Sequence, residues 1–175
     1  MTDQSHIPTL DTARLRLRPF RITDTDRLLG IMEGEKVLQY FPPRPEALDR
    51  ERVARLIQRQ IDHWTELGYG WWAVEDRLSG DLLGWNGLQL ITETGEVEIG
   101  YLLDRSSWGK GLATEGGQAA FRFAREKLRL SELVGITHPD NAASQNVLRK
   151  LGLTFTRVDT YFGMEVWRFA HTFEE

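Results

Sequence analysis

The segment from Glu98 to Thr114 places the tightest limit on what this chain can become. Residues 98–103 alternate like a strand. Gly109, Gly111 and Ala113 then alternate with larger residues, and a helical pattern follows. A helix that starts straight after a loop of small residues presents its unpaired first-turn N–H groups outward, and its dipole favours an anion there. Lys110 adds positive charge. The loop is no P-loop, because no Gly-Lys-Ser/Thr follows at the required spacing. Nor is it a dinucleotide fingerprint, because an apparent meander precedes it rather than the first strand of a βαβ unit. Glycines that merely turn the chain at positive φ are the alternative.

The rest of the chain supplies the frame. Residues 1–10 read as a loose lead-in. Leu15 and Leu17 alternate with Arg14, Arg16 and Arg18 as in a half-exposed strand. Thr23 to Asp26 offer caps for a first helix. Tyr40 to Pro45 form a proline-rich loop. A second helix, about Asp49 to Leu67, carries Val53, Leu56, Ile57, Ile61 and Trp64 on one stripe and ends at Gly68. Trp71–Glu75, Leu82–Leu90 and Glu96–Leu103 read as an antiparallel meander. After the glycine loop come a helix to about Leu128, a strand at Leu133–Thr137, a helix at Ala142–Leu151 closed by Gly152, and strands near Phe155–Val158 and Glu165–His171. This order predicts a single α/β (α+β) domain over 1–175, with a mixed, mostly antiparallel sheet and about four helices.

Composition excludes several classes. A net charge of -4 argues against a general grip on nucleic acid. The absence of cysteine removes disulfides, cysteine-ligated zinc and a cysteine acyl-enzyme. It also suits a reducing compartment. With no signal core at the N-terminus and no membrane-length apolar stretch, a soluble cytoplasmic protein is expected. No His/Asp/Glu spacing resembles a metal site.

A second cluster, His138-Pro139-Asp140-Asn141 through Ser144 to Lys150-Leu151-Gly152, occupies the next strand-to-helix junction. Together with Trp108 to Glu115 it resembles the GNAT acetyltransferase superfamily. The Asn-x-x-Ser, the Lys-Leu-Gly ending and the opening Thr12 to Pro19 are similar to its branch of ribosomal-protein N-terminal acetyltransferases, the Rim type. The likeness runs from about Leu10 to Phe169. It implies a GNAT fold and acetyl-CoA as cosubstrate. The main chain of Leu102 and Leu103 would pair with the pantetheine arm. The backbone of Trp108, Gly109, Lys110, Gly111, Leu112, Ala113 and Thr114 would hold the pyrophosphate, and Asn141 would bond the pantetheine. Trp108 stands where the family has Gln or Arg, so a side-chain charge is missing there. Homodimers are common in that branch.

Direct acetyl transfer needs a neutral amine, a base, an oxyanion donor and help for the departing thiolate. A free α-amino group has a pKa near ~8 and a lysine near ~10.4, so a base must take a proton. Glu98 is the first candidate. Alternation sets it on one face with Glu96, Gly100 and Leu102, and a mid-strand glycine marks a bulge or a close approach. A solvated surface carboxylate, as expected for Glu96, is the plain alternative. For the leaving group, many relatives use a tyrosine at the position of Leu148, which cannot donate. Ser144 is the substitute that the resemblance implies, a first-turn helix serine otherwise. Asn141 is a good N-cap in any case. His138 is a weaker base candidate.

The acceptor is a primary amine. The expectation is a protein N-terminal α-amino group, with a small-molecule amine or antibiotic as the alternative. A non-catalytic acyl-CoA-binding module is the reading from another class. Tyr40 to Arg44 and Asp159 to Gly163 are the loops expected to face the acceptor.

Overall fold

Eight strands form one sheet in the order β1-β2-β3-β4-β5-β6-β8-β7. The computed structural model describes residues 4–174. The strands are β1 Leu10–Asp11, β2 Leu15–Arg18, β3 Trp71–Asp76, β4 Leu82–Ile91, β5 Glu96–Leu103, β6 Glu132–Thr137, β7 Thr154–Tyr161 and β8 Met164–Thr172. Four helices accompany them: α1 Thr25–Met32, α2 Arg50–Leu67, α3 Leu112–Glu126 and α4 Ala142–Lys150. All neighbours are antiparallel except β5 and β6, which run parallel. The sheet is therefore mixed and mostly antiparallel, as expected. Among the described residues no helix is long and apolar enough to cross a membrane.

Both faces of the sheet centre are covered, so β3 shows an unbroken buried run, Trp71 to Val74, rather than alternation. Its side chains still alternate between two cores. Trp71 and Ala73 join Ile31 of α1 and Ile57 of α2, while Trp72 and Val74 join Ala120 of α3 and Leu148 of α4. Local chemistry sets the helix ends. The Asp49 carboxylate accepts from the Arg52 amide at 2.8 Å, and Gly68 at φ 75° closes α2 in the left-handed conformation. The α4 terminus closes as expected: the Leu153 amide donates to the Leu148 carbonyl across Gly152.

Three expectations change on folding. Arg18 is not on an exposed face. It is 6% exposed and donates to Asp24 at 2.9 Å through both terminal nitrogens and to Glu75 at 2.6 Å. Asp24 is therefore consumed by Arg18 and by the Arg21 amide rather than capping α1. The segment 159–163 is not a loose loop but the end of a β7–β8 hairpin, turned at Phe162 and Gly163, both with positive φ. In the lead-in, residues 1–3 lie outside the described residues. Ile7 is buried, and the Pro8 carbonyl accepts the Trp72 indole N–H at 2.8 Å.

Candidate active site

The parallel pair β5 and β6 defines the site. The two strands share one register pair, Glu98 with Val134, and each then runs into a helix start: β5 through the glycine loop to α3, β6 through His138–Asn141 to α4. Ligands of α/β sheets bind beyond the carboxyl ends of parallel strands, where helix N-termini converge.

Glu98 stands at the register pair. Its carboxylate accepts from the Gln89 side-chain amide at 2.8 Å, across the β4–β5 ladder, and from the Ile136 amide on β6. Burial pushes the Glu98 carboxyl up to about 7. The two hydrogen bonds pull it down, and the nearby Glu96 charge pushes it up. Glu96, two residues back, is not the solvated carboxylate that alternation implies. Burial works upward on it, but hydrogen bonds from Tyr161, Thr94 and Arg168 hold it below the usual range. Arg168 reaches it at 2.6 Å and Tyr161 at 2.6 Å. Two carboxylates on one strand face are thus driven apart, one ionised and one poised near neutrality.

The glycine in mid-strand is a close approach, not a bulge. Pairing of β4 with β5 runs unbroken from Gly84↔Leu103 to Ile91↔Glu96. A β-carbon at Gly100 would lie 3.3 Å from the Trp85 ring. Trp85 in turn stacks on Trp71 at 3.6 Å, with 3° between the rings.

The glycine loop turns left-handed twice before α3. Gly109 (φ 72°) and Gly111 (φ 76°) both adopt the left-handed conformation, and Gly111 caps α3. The first-turn amides of Leu112, Ala113 and Thr114 have no intrahelical acceptor by helix geometry. Arg14 braces the loop: it donates to the Lys110 carbonyl at 2.9 Å and to Glu115 of α3 at 2.7 Å. Trp108 does not contribute charge; its indole N–H donates to the Leu103 carbonyl at 2.9 Å. Arg105 restores a cation at that spot, its guanidinium 4.5 Å from the Trp108 ring centroid. Of the expected pantetheine partners, then, the Leu103 carbonyl already has a donor, while the Leu102 carbonyl lies against Gly84.

On the second helix, Asn141 is the N-cap, its side-chain oxygen accepting from the Ser144 amide at 3.1 Å. Ser144 is half-buried, and its hydroxyl lies 2.9 Å from the Tyr101 hydroxyl. Leu148 points into the core against Gly135 of β6. His138 stacks on Tyr40 from the α1–α2 connection, ring centroids 5.3 Å apart. That contact ties an expected acceptor loop to the β6–α4 junction.

Sequence reading missed Gln89, Arg14, Arg105 and Tyr101. Only Gln89 has a usable signal, as the cross-strand partner of Glu98 once the β4–β5 turn is placed.

A family model described as the acetyltransferase (GNAT) domain matches residues 14–154. The FsC-acetyl coenzyme A-N(2)-transacetylase of Aspergillus fumigatus is 31% identical over 170 residues, covering 89% of this chain and 68% of its own. Among solved structures, an acetyltransferase from Agrobacterium tumefaciens superposes with a TM-score of 0.81 at 26% identity, covering 94% of each chain. RimL, a ribosomal L7/L12 alpha-N-protein acetyltransferase solved with coenzyme A, gives 0.79 at 19% identity, covering 94% of this chain and 98% of its own.

Proposed function

The chain belongs to the GNAT acetyltransferase family, and from that premise we propose that residues 1–175 act as one domain moving acetyl from acetyl-CoA directly onto the α-amino group of a protein N-terminus. The observation that carries the base is Glu98, a carboxyl held by the Gln89 amide at the parting of β5 and β6 and raised to about 7. A base at that value faces an α-ammonium near ~8 across about one unit. A lysine-type ammonium near ~10.4 is the harder acid to deprotonate, so such a base suits an α-amino group better. Glu98 takes the amine proton, and Gln89 and the Ile136 amide fix its carboxylate. The residues fit coenzyme A: the amides from Gly109 to Thr114 with Lys110 and Arg105 receive the pyrophosphate, and the Leu103 amide, turned away from the β4 ladder, receives the pantetheine, while Leu102 faces β4. Ser144 donates to the departing sulfur.

A small-molecule α-amine is the second reading. It is favoured by the A. fumigatus relative, whose name specifies an N(2) transfer.

Thiol release from acetyl-CoA tests both readings. The panel comprises peptides with free N-termini, the same peptides blocked at the N-terminus but bearing lysine, and small α-amines. Turnover is expected on free N-termini, at least tenfold above the lysine-only peptides. Turnover confined to small amines would replace the first reading with the second. Silence on every amine, with CoA still bound, would return the acyl-CoA-binding module.

Gly111→Ala is expected to weaken CoA binding about tenfold in a calorimetric titration. A β-carbon at φ 76° costs about 1–2 kcal/mol, and relieving it would turn the loop amides away from the phosphate. Unchanged affinity would place the pyrophosphate elsewhere.

A further inference from the structure

We infer that Tyr101 is a positioning residue for the leaving group, holding the Ser144 hydroxyl so that its proton points at the departing sulfur. This rests on the placement of the thioester beside Ser144 proposed above.

Position 148, from which many relatives offer a phenol, holds a leucine packed into the core. A phenol nevertheless reaches the same helix. Tyr101 projects from β5, on the face opposite Glu98, and meets the first turn of α4. Its oxygen lies 2.9 Å from the Ser144 hydroxyl and 3.1 Å from the Ser144 carbonyl. Those two contacts link residues 43 positions apart, so they are products of the fold and not of helix geometry.

The phenol has one proton and two acceptors within reach. When it donates to the Ser144 carbonyl, the serine hydroxyl can spend its own proton on the phenol oxygen. When it donates to the serine oxygen, the serine proton is free for a third partner. An anion arriving beside Ser144 selects the second arrangement, and a hydrogen bond that already polarises the serine strengthens the one it donates. In the transfer, the neutral amine nitrogen forms a bond to the acetyl carbon, the carbon–sulfur bond breaks and its electron pair stays on sulfur. The amine proton goes to Glu98. The serine and tyrosine protons remain on oxygen, as hydrogen-bond donors. Burial raises the Tyr101 phenol well above its ordinary value; the Ser144 hydrogen bond lowers it and the Glu98 charge raises it. The phenol therefore remains a donor across the working range. Glu98 and Tyr101 thus flank one edge of β5, the base on one face and the donor pair on the other.

The test reads the thiol of bound coenzyme A itself, by its thiolate absorbance during a pH titration of the protein–CoA complex. In wild type the bound thiol should titrate below free CoA. Tyr101→Phe should raise that value by about one unit, as loss of a hydrogen bond to an anion predicts. The affinity for CoA at low pH, where the thiol is neutral, should stay within about twofold, because uncharged sulfur gains little from the donor. Ser144→Ala should shift the value by at least as much, and the double variant no further. With acetyl-CoA, kcat should fall about tenfold with little change in KM. A wild-type titration in Tyr101→Phe, with Ser144→Ala shifted, overturns the role of Tyr101. A wild-type titration in both variants overturns the Ser144 placement as well. If Tyr101→Phe does not fold, 3-fluorotyrosine at 101 keeps the shape and makes a stronger donor. It should lower the bound-thiol value further, and no change would overturn the proposal.

Discussion

Glu98→Gln is expected to lower kcat/KM by about 10²–10⁴-fold, the usual worth of a positioned general base, while making the protein more stable above pH 7. Gln keeps the shape, accepting from the Ile136 amide and donating to Gln89 once that side-chain amide flips, so the loss isolates the proton transfer. Wild-type kcat/KM should climb as pH rises through about 7, because only the ionised carboxylate accepts a proton. Glu98→Gln should lack that limb. The stability effect has the opposite sense. The folded-state value lies above the ordinary glutamate value of 4.5. Between roughly pH 4.5 and 7 the native state therefore holds a proton that the unfolded chain has released, and stability falls as pH rises through this window. Above it the buried charge costs stability, by about 2 kcal/mol once partial solvent access is allowed for. Chemical denaturation at pH 5 and pH 8 checks this. The two proteins should match at the lower pH, and the variant should be the more stable at the higher. A variant with full activity, or an activity profile flat from pH 6 to 8, would remove Glu98 from the base role.

Arg18→Ala is expected to cost about 3–5 kcal/mol, the range for breaking a buried ion pair by removing one partner. The guanidinium holds Asp24 through two nitrogens and Glu75 through a third, and its first nitrogen also donates to the Pro19 carbonyl. Without it two carboxylates are left unpaired, one of them on Asp24, which is 8% exposed. The cluster joins β2 to β3 and to the turn before α1, so one polar tie of that turn to the sheet is lost with it. For a chain of this length the melting temperature should fall by about 10 °C. Arg18→Lys should recover only part, since an ammonium cannot reproduce the fork. A loss under about 1 kcal/mol would mean that water already screens the cluster.

Much of the fold was legible before folding. The stripe from Val53 to Trp64, the Asp49 cap, the Gly68 stop and the three-strand meander are set by residues a few positions apart. Their periods and caps survive any tertiary arrangement. The glycine loop was legible for the same reason: left-handed backbone at 109 and 111 is a local demand, and the amides that follow it are free by helix geometry. Arg16 and Arg18 show where this stops. The strand pattern treats them alike, yet Arg16 meets Asp11 at the surface while Arg18 is buried between Asp24 and Glu75.

The sequence by itself determined most of the elements, their order and the positive-φ glycine loop, because short-range sterics and hydrogen bonding decide those; β1 at Leu10–Asp11 needed its partner β2. Tertiary structure alone decided which polar groups meet. Arg18 with Glu75 spans 57 positions, Arg168 with Glu96 spans 72, and Tyr101 with Ser144 spans 43. It also decided that the Glu98 carboxyl is pushed up toward neutrality while Glu96 is held below the usual carboxylate range. Both are glutamates on one strand face. Their difference lies in which distant side chains desolvate them and which donate to them, and that depends on the packing of β4, β6 and β8 around β5.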